Sequence, residues 1–83
     1  MQERVDAIIR VIVTRLNPTL DAATLSAETR LVGAGLTLDS MALLELVTGL
    51  EAELGIMIDE GRLAAGDFAD IGSLARFLGE HAA

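Results

Sequence analysis

The chain has 83 residues, 52% of them hydrophobic, with two Phe and no Tyr, Trp or Cys. Its 13 acidic residues against 6 basic ones give a formal net charge of −7. These figures exclude disulfide staples, thiolate catalysis and Cys-ligated metal. They also exclude a disordered chain, which is less apolar, and a nucleic-acid partner, which requires clustered cationic side chains.

A chain of this length is expected to form a single domain over residues 1–83, burying only ~60% of the surface that its unfolded form exposes. Little room remains for both a core and a deep cleft. Every basic residue is Arg. The acidic surface suits partner proteins with basic patches, or serves only solubility. The first residues lack a signal pattern, and no segment approaches the ~20 apolar residues of a bilayer span. The expected location is the cytoplasm, as a monomer, with no membrane partner.

Val5, Ile8, Ile9, Ile12 and Leu16 recur at spacings of three and four, which predicts a helix over residues 3–16. The run Val11-Ile12-Val13 would also suit a strand, but length and period favour helix. Asn17-Pro18 ends it, because the residue before proline is driven out of the helical region. Residues 19–39 show no sustained period. Leucines at 20, 25, 31, 36 and 38 are expected to pin this long loop across the helices, with a helical turn near Ala22 to Leu25 and flexibility at Gly33-Ala34-Gly35. Too few glycines and no suitable basic residue exclude a phosphate-cradling loop there.

Residues 39–54 read as the central helix. At 100° per residue, Leu43, Leu46, Val47, Leu50 and Leu54 share a sector of about 100°, the expected core face. Met41, Leu44 and Thr48, flanked by Glu45 and Glu51, form a second group. That stripe is either a contact surface or covered by the first helix or loop. Gly55 closes the helix. A short helix or turn is expected over Arg62 to Ala65, broken by Gly66. Asp70 is placed to cap a last helix from Ile71 to about Glu80, with Leu74, Phe77 and Leu78 inward. The expected fold is all-α, three main helices and one short one.

His81 is the only histidine and sits near the end of the last helix, without partners at metal-binding or catalytic spacing. The carboxylates at positions 59, 60, 67 and 70 do not follow the pattern of a calcium loop. No metal site and no enzymatic activity are expected. Ser40 stands out, directly after Asp39 at a helix start. It is either an ordinary N-terminal helix residue or an attachment point, since the free N–H groups and positive dipole end there favour an anion such as a phosphodiester.

The segment Gly35-Leu36-Thr37-Leu38-Asp39-Ser40-Met41, continued by Ala42-Leu43-Leu44-Glu45-Leu46-Val47-Thr48, resembles the acyl carrier protein family around its modified serine. The resemblance extends through Glu53-Leu54-Gly55-Ile56-Met57-Ile58, Asp67-Phe68 and Ile71-Gly72-Ser73-Leu74-Ala75, covering about residues 3–80. It implies a carrier-protein domain folded as a four-helix bundle with a long first loop. It implies that a phosphopantetheinyl transferase moves 4′-phosphopantetheine from coenzyme A onto Ser40 Oγ, beside Asp39. The thiol of that arm then carries acyl groups as thioesters between acyl-loading and acyl-processing enzymes with basic docking patches. The docking surface implied is Leu36, Met41, Leu44, Glu45, Thr48 and Glu51. Met41 stands where leucine is commoner, a volume-conserving change. The central helix is also less acidic than in fatty-acid-synthesis carriers, which points to a specialised, polyketide-type pathway. An aminoacyl or peptidyl carrier, or an unmodified helical adaptor, are the alternatives.

Overall fold

The structure is a computed structural model and describes residues 1–33 and 35–81. Helix α1 spans Gln2–Val11 and runs directly into a π-helical turn, Ile12–Leu16, so helical backbone covers the predicted span. Val5, Ala7, Ile8, Val11 and Ile12 are buried, while Arg4, Asp6, Arg10 and Arg15 face solvent. In the widened turn Asn17 N–H donates to Ile12 O at 2.9 Å. Thr14 Oγ1 donates to Arg10 O at 2.7 Å, a side-chain competition that bends and loosens helices. Asn17 then takes extended angles, φ −146° and ψ 90°, before Pro18.

The long loop is held by the leucines. Leu31 is fully buried, and Leu20, Leu25, Leu36 and Leu38 pack half-buried against the core. A 3-10 turn at Ala22–Thr24 occupies the expected place and is capped by Asp21, whose Oδ1 accepts from Ala23 N–H. Three backbone bonds tie the loop to the start of the last helix. Leu31 N–H donates to Ala69 O, Ile71 N–H to Thr29 O and Gly72 N–H to Ala27 O. The expected flexibility at Gly33-Ala34-Gly35 falls partly on Ala34, outside the described residues. Gly35 has a left-handed φ of 69°, and a Cβ there would lie 2.6 Å from Arg30 O, so the backbone approach itself demands glycine.

Helix α2 spans Ser40–Leu54 and ends at Gly55, whose φ of 65° and ψ of 38° form a left-handed C-terminal residue. Leu46, Val47 and Leu50 are buried as the helical wheel requires. Two members of that sector differ. Leu54 is 37% exposed and Leu43 is half-buried. A wheel treats every turn alike, whereas these residues lie towards the two ends of α2, where fewer elements cover them. Arg10 of α1 meets Glu53 of α2 at 2.8 Å, an exposed pair of small energetic weight.

The short helix or turn expected at residues 62–65 takes the form of two 3-10 turns, at Glu60–Arg62 and Ala65–Phe68. Gly66 lies inside the second rather than breaking a helix. The cause is local capping: Asp59 Oδ1 accepts from Gly61 N–H, and Asp67 Oδ2 from Ala64 N–H, so each turn closes on its own carboxylate. Helix α3, Ile71–His81, buries Ile71, Leu74, Ala75, Phe77 and Leu78. Asp70 caps it, with Oδ1 accepting from Ser73 N–H at 2.7 Å. The architecture is all-α, three helices around an aliphatic core. Among the described residues no helix is long and apolar enough to cross a membrane.

Candidate functional site

The start of α2 is built by its cap. Asp39 has extended angles, φ −87° and ψ 179°, and its Oδ1 accepts from Ala42 N–H at 2.8 Å. Its carbonyl accepts from Leu43 N–H at 2.9 Å. Asp39 therefore does the capping that Asp39 and Ser40 could each have done. Ser40 is left as the first residue of the helix, exposed, with no hydrogen bond to its hydroxyl among the described residues.

Leu36 and Leu38 anchor the approach to this point from the loop side. Leu38 N–H donates to Leu31 O at 2.7 Å and Leu36 N–H to Arg30 O at 2.9 Å. Between them Thr37 has a φ of 50°, uncommon for a β-branched residue, and its Oγ1 donates to Leu36 O. The leucines turn inward at this bend, and the Asp39-Ser40 pair is left outside.

A shallow groove of about 290 Å³ begins at Ser40 and is lined by Leu43, Leu44, Val47, Glu60, Leu63 and Phe68. A second recess of about 360 Å³ lies towards α1 and the loop, with Leu36, Leu38, Asp39, Met41 and Glu45 in its walls. The sequence stripe maps onto α2 beside these recesses. Met41 is 68% exposed and Leu44 55%, and Glu45 and Thr48 are also exposed. Leu36 is half-buried and packs against the core. Glu51 differs from its neighbours: it is partly covered, and its Oε2 accepts from Ile58 N–H at 2.9 Å, latching the chain after α2. That bond joins residues seven apart through a turn, so helical spacing gave no sign of it.

Chemically, the site offers an accessible hydroxyl to which no base hydrogen-bonds among the described residues. His81 lies at the end of α3, its ring 5.0 Å from that of Phe77, and lines neither recess beside Ser40. Asp39 is engaged as a cap. Among the described residues no group of three His, Cys, Asp or Glu is placed to hold a metal ion. One carboxyl shows a clear perturbation. Asp70 is held below the usual carboxylate range, first by the Ser73 backbone N–H and then by its hydroxyl; burial opposes them, and Arg30 and Arg76 add smaller lowering effects.

A 4′-phosphopantetheine arm fits this arrangement on two counts. Its phosphodiester would sit at a helix N-terminus, where the dipole and free N–H groups favour an anion. Its chain would leave Ser40 along an apolar groove.

The solution NMR structure of a holo acyl carrier protein from Nitrosomonas europaea is 33% identical to this chain, with a TM-score of 0.80. The match covers 95% of this chain and 94% of that one. No protein-family model matches the chain, and no curated protein matches it.

Proposed function

Because the chain belongs to the acyl carrier protein family, and is thus a carrier rather than a catalyst, we propose that Ser40 is its covalent attachment site. A phosphopantetheinyl transferase would move 4′-phosphopantetheine from coenzyme A onto Ser40 Oγ: the Oγ–P bond forms as the pyrophosphate bond of coenzyme A breaks, adenosine 3′,5′-bisphosphate leaves and the hydroxyl proton is lost. The group supplies a terminal thiol, which this chain lacks, and holds acyl groups there as thioesters. The observation that carries this reading is the division of labour at the head of α2. Asp39 caps the helix and Ser40 Oγ is exposed and uncommitted.

The chain's own residues have three tasks. Asp39 fixes the first turn so that Ser40 faces outward. The groove from Leu43 to Phe68 offers apolar walls to whatever chain leaves Ser40. Met41, Leu44, Glu45 and Thr48 form the face that meets acyl-loading and acyl-processing enzymes, with Leu36 beside it and Glu51 contributing its remaining carboxylate oxygen. The modest acidity of α2, which carries only Glu45, Glu51 and Glu53, supports a specialised, polyketide-type pathway over bulk fatty-acid synthesis.

Intact mass spectrometry after incubation with coenzyme A and a broad-specificity transferase tests the reading. The wild-type chain gains one phosphopantetheinyl group and Ser40→Ala gains none. An unmodified wild type, or an equal gain by Ser40→Ala, refutes it.

A further inference from the structure

Arg15 borders the exposed face of α2. Arg10 holds Glu53 and Arg62 holds Asp59, while the Arg4 guanidinium lies over Gly79. Arg15 is exposed and makes no ion pair among the described residues. Its stem nevertheless has a defined place. It crosses α2 at Gly49, where a Cβ would come within 2.9 Å of Arg15 Cδ and 3.5 Å of Nε. The missing side chain at 49 lets the arginine lie flat on the helix backbone. The side chain thus lines one recess of about 450 Å³ with Leu44, Glu45, Thr48 and Gly49.

We propose that Arg15 extends the docking face of α2 onto the π-helical turn after α1 and selects partner proteins that set a carboxylate against it, next to an apolar side chain seated on Leu44. The proposal rests on reading α2 as the partner face. Charge complementarity identifies the occupant. In a chain of net charge −7, a uniformly basic partner patch would be drawn to Glu45 but would bring like charge against Arg15. Covering an arginine without a counter-charge is costly, while an acid opposite it turns the same contact favourable. The fitting surface is mixed: basic towards Glu45, apolar over Leu44, acidic towards Arg15. Arg15 acts as a discriminator among partners, and Gly49 as the residue that seats it.

A library of amphipathic helical peptides, randomised at the positions flanking an apolar anchor, is selected against the full wild-type chain and separately against Arg15→Glu. Binders that lose affinity for Leu44→Glu are kept as occupants of this recess. Those selected on the wild type carry Asp or Glu beside the anchor. They weaken about fivefold against Arg15→Glu, with Arg15→Ala in between, as expected for a flanking ion pair. The effect shrinks as salt is raised. Binders selected on Arg15→Glu carry Lys or Arg at the same position. The same flanking charges on both targets, or no Leu44-dependent binder, overturns the proposal. Circular dichroism melts establish that each variant is folded. Mass gain at Ser40 reports the carrier reading separately, so failure there is distinct from failure here.

Discussion

Replacing Gly49 with alanine sets two opposing effects against each other at one buried position. In an open helix interior the change stabilises by about 1 kcal/mol, because alanine loses less conformational freedom. At Gly49 the added methyl would lie 2.7 Å from Val11 Cγ1 and 2.9 Å from Arg15 Cδ. The arginine stem is flexible and exposed, so it yields. Val11 is fully buried and β-branched, with little rotamer freedom to escape. Relief therefore requires α1 and α2 to move apart, at the usual overpacking cost of about 1–3 kcal/mol. The net expectation for Gly49→Ala is a destabilisation of about 1 kcal/mol. Urea unfolding at unchanged slope measures it as a fall in midpoint of roughly 0.5–1 M. Gly79→Ala is the matched control. The atoms nearest its methyl would be the end of the Arg4 side chain, at 3.1 Å, and that change should be neutral or mildly stabilising. Combining Gly49→Ala with Val11→Ala should cost less than the sum of the two single changes. A stabilised Gly49→Ala with no coupling to Val11 would refute the close approach of the two helices.

Leu44→Glu should change stability by no more than about 0.5 kcal/mol, since the side chain is 55% exposed, yet it should impair capture by acyl-processing enzymes. A loss of several kcal/mol in a thermal melt would place Leu44 in the core instead. Asp70→Ala should cost about 1 kcal/mol at neutral pH by removing the α3 cap. Because the folded carboxyl is held below its ordinary value of 3.8, this contribution is complete above that pH and is lost as pH falls through the lowered folded value. Acid titrations of the two proteins should therefore converge at low pH, and a gap that persists would refute the assignment. Gly35→Ala should cost about 2 kcal/mol or more, from a left-handed φ of 69° and a clash with Arg30 O, read by chemical unfolding.

The helices were legible because each carries a strong period and its own punctuation. Asn17-Pro18 stops the first helical span, Asp39 opens α2, Gly55 closes it and Asp70 opens α3. The segment from 56 to 70 was less legible. Its two turns close on Asp59 and Asp67, short-range hydrogen bonds that leave no hydrophobic period to read. Leu54 illustrates a different limit. Its angular position matches the core sector, but burial also depends on what reaches that level of the bundle, and there its recess is shared with Glu3, Arg4 and Gly79.

At the head of α2 the sequence alone singled out Asp39 and Ser40 and the two-sided character of the helix after them. It left the cap and the free hydroxyl interchangeable, since both residue types serve at a helix start. Tertiary structure separated them. The loop, drawn inward by Leu36 and Leu38 and tied to α3, brings the chain in so that Asp39 reaches Ala42 N–H and Ser40 turns outward. The same holds for Arg15 and Gly49. In sequence one is a polar position late in the first helical span and the other a weak point in α2. Only the packing of the two helices places the arginine across the glycine, because that contact depends on residues 34 positions apart meeting in space.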